Sequence, residues 1–274
     1  MRDIRAALVI SNSPAFRVLH NLEQTARLTR QAAEHGAAIV CFPEMNITGY
    51  DNSREIRETA QTVPGPAGDR LSEVAARENI VILAGMAERD EMDRIYASHL
   101  VIRPSGEISV YRKLHIAPPE KEIFSPGNAV PVFEAGGICF GIQLCYDAHF
   151  PELSTLMAEK GADLIFIPHA SPRGTPEDKF SSWMRHLPAR AYDNSLFVMA
   201  CNQTGDSQKK LKYPGIAMAI DPSGRVIGKK LSDRDDLLIA DLKAEDMDRV
   251  RSHKMRFFLP NRRPGLYDRA MNGS

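Results

Sequence analysis

Short apolar runs alternate with helix-period stretches along nearly the whole chain. Residues 4–11, 37–42, 79–87, 95–103 and 107–113 predict strands in the first half, and 138–144, 162–167, 196–201, 215–221, 225–229 and 237–241 in the second. Several of these runs are apolar at almost every position, as strands buried on both faces are. Between them, residues 21–35 predict a helix with Leu22, Ala26 and Ala33 on one side and Gly36 ending it. Asp69 is placed to cap a helix that runs to Glu78. Pro151 and Glu152 suit the first turn of a third helix, which Gly161 terminates. Residues 179–194 look helical, with Pro188 kinking or dividing them, and 243–252 form a charged, solvated helix. Residues 45–68, 114–128 and 169–178 are turn-rich and read as loops.

The alternation predicts an α/β fold. It also contains an echo. HGAAIVCFPE (35–44) is similar to KGADLIFIPH (160–169), and RPSGEISVYRK (103–113) to DPSGRVIGKK (221–230). These are either two copies of one layered unit or a chance likeness of short apolar strands. No Ser/Gly-rich or charge-block linker separates them, so one domain over 1–274 is expected.

Composition narrows the function. The 274 residues carry a formal net charge of +0, which argues against nucleic acid or an anionic membrane as partner. No apolar run approaches a membrane span or a signal peptide. Four cysteines without CxxC spacing indicate neither a zinc site nor a disulfide framework, so a cytoplasmic protein is expected.

The candidate chemistry lies just past the strands. Glu44, Lys113, Cys145, His169 and Asn202 each end or follow an apolar run, and ligand sites of α/β proteins lie at the carboxyl ends of strands. Cys145, between a buried strand and a helix start, meets conditions that favour thiolate, the nucleophilic form. The ordinary alternatives are a small buried apolar cysteine and a solvated Glu or Lys. A carboxylate, an ammonium and a thiol reaching one rim would together supply a base, an oxyanion stabiliser and a nucleophile.

FPEMNITGY (42–50), YRKLHI (111–116) and LCYDAHFPE (144–152) resemble, in order and separation, the three catalytic motifs of the nitrilase superfamily of carbon–nitrogen hydrolases. The likeness extends to EKEIFSPG (120–127), to residues 183–205 and to the DPSG turn at 221–224. It implies a four-layer α-β-β-α sandwich with a pseudo-two-fold. It assigns Cys145 as nucleophile, Glu44 as general base and Lys113 as the cation on the tetrahedral intermediate. Glu120 matches a second glutamate that orients Lys113 or the substrate, and the Tyr146 N–H completes an oxyanion hole. A lysine near Cys145 is expected to depress its pKa, and burial to raise that of Glu44. No metal or organic cofactor is implied. The C-terminal segment, 253–274, with exposed-looking Phe257, Phe258 and Leu259, is expected in contact with a second subunit of a homodimer or higher homo-oligomer.

His169, Ser171 and Arg173 sit where the pocket wall should be and are the candidate substrate contacts. Asp147 suits a turn cap and His149 a packing or surface place. Trp183, Arg190 and Asn194 suit a helix packed on the site. Some N-carbamoyl-amino-acid hydrolases carry arginines at the positions of Ala148 and His149, and this chain does not; Arg173 is the candidate replacement. The leading expectation is an amidase releasing ammonia from a small aliphatic amide or N-carbamoyl compound through a cysteine thioester. The alternatives are a nitrilase and a catalytically silent binding protein on the same fold.

Overall fold

The computed structural model describes residues 1–206 and 211–267. Its first half runs β1 (Ile4–Ile10), α1 (Val18–Glu34), β2 (Ile39–Cys41), α2 (Pro66–Glu78), β3 (Val81–Arg89), β4 (Ile95–Ile102) and β5 (Ile108–Arg112). The second half runs β6 (Phe133–Ala135), β7 (Ile138–Ile142), α3 (Pro151–Glu159), β8 (Leu164–His169), α4 (Pro176–Trp183), α5 (Leu187–Asn194) and β9 (Phe197–Asn202). It continues through β10 (Gly205–Asp206), β11 (Lys212–Tyr213), β12 (Ile216–Ile220), β13 (Val226–Leu231), β14 (Asp236–Leu242) and α6 (Ala244–Arg251).

Two six-stranded sheets result, ordered β14-β1-β2-β3-β4-β5 and β6-β7-β8-β9-β12-β13. Read from one edge, the pairings match step for step: antiparallel, parallel, parallel, antiparallel, antiparallel. The 35–44 and 160–169 echo is thus β2 and β8 in equivalent central places, and the two PSG turns close the equivalent hairpins β4–β5 and β12–β13. The echo reflects a pseudo-two-fold.

Side-chain alternation separates the layers. Ile4, Ala6, Leu8 and Ile10 of β1, with Ile39 and Cys41 of β2, join Phe140, Leu164 and Met218 of the other sheet in one core. Ala7, Val9, Val40 and Ile82 point the other way, onto Leu22, Leu28 and Leu71 of α1 and α2. Trp183, Leu187 and Ala191 of α4 and α5 cover the outer face of the second sheet. The architecture is the α-β-β-α sandwich. No helix among the described residues is long and apolar enough to cross a membrane.

Several local expectations change. The buried stripe of α1 is Leu22, Thr25, Leu28, Thr29 and Ala32, with Ala26 and Ala33 only flanking it. Asp69 is no cap: α2 starts at Pro66, whose fixed φ and missing N–H suit the first position, and Asp69 lies inside the first turn. Asn79 ends that helix at φ 51°, so β3 begins only at Val81. Pro188 divides the 179–194 stretch into α4 and α5. Strand β6 was invisible because it is short, and it pairs with β7 through Gly136 and Gly137, at φ 62° and 79°. In the tail, Phe258 is 37% exposed and meets exposed Tyr192 at 5.5 Å between ring centroids, while Leu259 packs on the core. Of the expected subunit-contact segment, 268–274 lies outside the described residues.

Candidate active site

Three strand ends and one loop deliver the polar groups. Glu44 follows β2, Lys113 follows β5, and Cys145 follows β7, so an inner and an edge strand of the first sheet and an inner strand of the second contribute. The turn that carries Glu44 is clamped onto β3. The Gly85 N–H donates to Asn46 Oδ1 at 2.8 Å and the Ile47 N–H donates to the Gly85 carbonyl at 2.8 Å. A Cβ on Gly85 would lie 2.4 Å from the Met45 nitrogen, so only glycine lets this turn sit so close.

Lys113 Nζ donates to Glu44 Oε1 at 2.9 Å and to Glu120 Oε2 at 2.8 Å. Lys113 and Glu44 are each 1% exposed and Glu120 is 5% exposed. The second oxygen of Glu44 accepts from the Ala170 N–H, just past β8, at 3.1 Å. Gln203 Nε2 donates to the Glu44 carbonyl at 2.9 Å. Glu44 is therefore bonded from both sheets. Glu120 is fixed on its other side by the Tyr50 hydroxyl, which donates to Oε1 at 2.8 Å. An ammonium has three donors, and Lys113 spends two on these carboxylates, leaving one for a ligand.

Cys145 opens a single 3₁₀ turn over Cys145–His149 with φ 44°, a left-handed conformation that costs a non-glycine residue about 1 kcal/mol or more. Tyr146 is second in that turn, where its N–H has no acceptor inside the turn. Asp147 holds the arrangement. Its carboxylate accepts from the Leu144 N–H at 3.0 Å, the Tyr111 hydroxyl at 2.8 Å, and the His115 N–H and Nδ1 at 2.8 Å each. Tyr111 and His115 flank Lys113 in the chain, so one buried carboxylate sets the lysine against the cysteine turn. Asp147 is a turn cap, as its place in the sequence suggested. Asp147→Ala is expected to destabilise the protein by about 3 kcal/mol or more, because several buried donors lose their acceptor at once. Denaturant unfolding checks this, and a cost under 1 kcal/mol would show that the cap is dispensable.

The electrostatics depart from expectation at the thiol. Burial, with the charge of Glu44 second, pushes the Cys145 thiol well above its usual range, and the pull of Lys113 does not offset this. The lysine's field is already spent on two carboxylates. Glu44 behaves as expected: burial raises its pKa to about 7, against the opposing pull of Lys113. Burial works against the Lys113 charge, but the carboxylates, Glu44 foremost, outweigh it and hold the ammonium protonated. At neutral pH the site therefore pairs a neutral thiol with a carboxyl group poised to accept its proton.

The remaining predicted residues lie around this centre in different ways. His169 is buried, tilted against the Trp183 ring at 4.6 Å, with Nδ1 donating to the Ile167 carbonyl at 2.8 Å. Its burial keeps it neutral. The Ser171 N–H donates to Asn202 Oδ1 at 2.9 Å. Arg173 is exposed at φ 81°, and its backbone N–H donates to the Lys212 carbonyl at 2.9 Å. His149 is on the surface, stacked on His186 at 4.6 Å. Arg190 Nε donates to the Ala148 carbonyl at 3.0 Å and bolts α5 to the cysteine turn. Lys179, Tyr50 and the Ala170 N–H were not anticipated. Tyr50 closes the FPEMNITGY stretch and so carried some signal, whereas nothing in a single sequence marks Lys179 or a backbone N–H.

A buried carboxylate–ammonium–carboxylate trio thus acts electrostatically on a cysteine held in a left-handed turn. The chain belongs to the carbon–nitrogen hydrolase family, whose model matches residues 5–252. It is 30% identical to a nitrilase of Pyrococcus abyssi over 243 residues, covering 87% of this chain and 89% of that protein. It is also 30% identical to an omega-amidase of Xenopus tropicalis over 258 residues, 90% of each. Among solved structures, an amidase from Nesterenkonia sp. AN1 superposes with a TM-score of 0.83 at 26% identity, over 97% of this chain and 96% of that one, as a cysteine-to-alanine mutant in complex with butyramide. Another form of that amidase shows covalent addition of the acetamide moiety of fluoroacetamide at its active-site cysteine. The present chain is accordingly a hydrolase acting on carbon–nitrogen bonds other than peptide bonds, with a cysteine nucleophile.

Proposed function

We propose that this chain hydrolyses a small aliphatic amide or N-carbamoyl compound, with Cys145 as nucleophile, Glu44 as general base and acid, and Lys113 as oxyanion stabiliser. The observation that carries this reading is the Glu44–Lys113–Glu120 trio, buried and hydrogen-bonded at 2.9 and 2.8 Å, in whose field the Cys145 thiol lies. Glu44 takes the thiol proton as sulfur attacks the carbonyl carbon. The oxyanion meets the free N–H of Lys113 and the Tyr146 N–H. Collapse breaks the carbon–nitrogen bond while Glu44 returns its proton to the departing nitrogen, and ammonia leaves a thioester. Water then attacks, Glu44 takes its proton, and the tetrahedral adduct expels sulfur, which recovers the proton as the carboxylic acid is released. Glu120, held by Tyr50, orients Lys113 rather than touching the reacting atoms. His169 and Ser171 line the acyl side.

The raised thiol pKa favours concerted deprotonation over a preformed thiolate. Ammonia release from aliphatic amides, N-carbamoyl amines, N-carbamoyl amino acids and nitriles tests the reading, with Cys145→Ser alongside. Turnover of an amide or carbamoyl compound is expected, at no more than about 1% in the Ser variant. Turnover of nitriles alone, or a fully active Ser variant, would sink it. A homo-oligomer fits the adjacent exposed rings of Tyr192 and Phe258, and a reducing, cytoplasmic setting fits four cysteines that are all free.

A further inference from the structure

One buried imidazole stands outside the mechanism above. His99 lies in β4, and Ala97 and Val101, two residues to either side, point into the core between the sheets, so its ring does too. It is 0% exposed, and neither ring nitrogen has a hydrogen-bond partner. The carbonyl that acts on the ring, that of Leu83, already accepts from the Phe42 N–H at 2.9 Å. Burial pushes the pKa of His99 down to about 3, so the ring is neutral and carries one N–H and one lone pair. A polar side chain left unpaired in an apolar core is costly, and leucine would fill the place without that cost.

The ring stands beside the turn that carries Glu44. In register, His99 is opposite Gly85 of β3 on one side and Tyr111 of β5 on the other. The point that a Cβ on Gly85 would occupy is 2.4 Å from the Met45 nitrogen and 2.8 Å from His99 Nδ1. The two nitrogens therefore stand together over the bare Cα of Gly85. Met45 is held at φ 57°, a left-handed conformation. Its peptide link to Glu44 is anchored at one end only. The Glu44 carbonyl accepts from Gln203 Nε2 at 2.9 Å, but the Met45 N–H has no acceptor among the described residues. An unpaired backbone N–H next to the proton carrier thus lies beside an unpaired imidazole. On the other flank of His99, the Tyr111 hydroxyl donates to Asp147, which braces the cysteine turn.

We infer that His99 is a positioning residue for Glu44: the lone pair of Nδ1 is the acceptor that the Met45 N–H takes during turnover, which anchors the second end of the Glu44–Met45 peptide. This rests on the reading of Glu44 as proton carrier. That carboxyl gains and loses a proton in each half-reaction, and a peptide fixed at both ends keeps it in line with the reacting atoms as its charge changes. In this arrangement Nδ1 accepts and Nε2 carries the ring proton.

Three variants and one spectrum test this. His99→Leu removes the acceptor and keeps the bulk. Its kcat is expected to fall about tenfold, the scale of one neutral hydrogen bond, with KM near the wild-type value and a melting temperature no lower than that of wild type. His99→Asn places an amide oxygen where Nδ1 stood and should recover most of kcat. In the Glu44→Gln background, His99→Leu should change the residual rate by no more than about twofold, because the ring acts through Glu44. Nitrogen NMR of the wild-type imidazole should show an unprotonated Nδ1 at neutral pH. An unchanged kcat in His99→Leu, or equal losses with and without Glu44, overturns the positioning role and leaves Glu44 as the base. A protonated Nδ1 overturns it too, without any variant having to fold. Loss of kcat in both His99→Leu and His99→Asn, together with lowered melting temperatures, would make His99 a packing residue only. A fully active Glu44→Gln enzyme would overturn the proton-carrier reading itself, and the role of His99 with it.

Discussion

Replacing Glu44 by Gln is expected to lower kcat/KM by about 10³–10⁴-fold, since the carboxylate moves a proton in both half-reactions. The wild-type pH profile should carry the same signature. With burial holding Glu44 near a pKa of about 7, kcat/KM should rise with pH and level off above that value, and the residual activity of the variant should lack that limb. A stability effect accompanies it. Between pH 4.5, the ordinary value, and about 7, folded Glu44 keeps a proton that the unfolded chain has released. The native state binds more protons than the unfolded one across this window, so this group's contribution to stability falls as pH rises through it and is constant beyond. The difference amounts to about 3 kcal/mol. Unfolding of both proteins from pH 5 to 8 isolates it, because the buried histidines titrate alike in each. The variant should gain on the wild type as pH rises. Parallel curves would mean that Glu44 titrates as an ordinary solvated carboxyl, and its part as proton carrier would lose its physical basis.

Lys113→Met is expected to damage both function and fold. Loss of the main oxyanion donor lowers kcat by about 10³-fold. It also leaves Glu44 and Glu120 buried side by side without their cation, and breaking a buried ion pair from one side costs about 3–5 kcal/mol. The two effects separate in a further variant. With Glu44→Gln and Glu120→Gln added, the buried charges are gone, so most of the stability should return while activity stays lost. A single Lys113→Met protein with wild-type stability would show that the two carboxylates reach solvent, and the buried trio would be wrong. Cys145→Ser makes a useful contrast, because it removes no charge and should leave the melting temperature within a few degrees of wild type.

Much of this site was legible along the chain. Glu44, Lys113 and Cys145 each stand at the end of an apolar run, and strand ends on one rim are where α/β folds place ligands. The tandem likeness of 35–44 to 160–169 announced the pseudo-two-fold, because identical places in two sheets impose similar burial on β2 and β8. What the chain could not show was balance. A lysine near a cysteine suggests a lowered thiol pKa, yet Glu44 and Glu120 consume that lysine's charge, and the thiol is pushed up instead. Arg173 looked like the spare cation and is exposed, whereas Lys179 folds back from α4 onto Ser171.

The sequence by itself determined the strands other than the short β6, β10 and β11, the helix ends at Gly36 and Gly161, the order of the three motifs and the chemical types of the reacting groups. These depend on neighbouring residues, through periodicity, chain stiffness and turn chemistry. The tertiary structure alone decided which donors meet which acceptors. Glu44 and Ala170 are 126 residues apart and 3.1 Å apart in space, and Asp147 collects bonds from β5 and from beyond Lys113. Burial, net charge at a point and the pairing of distant polar groups are properties of packed surfaces, and they exist only once the two sheets have closed on each other.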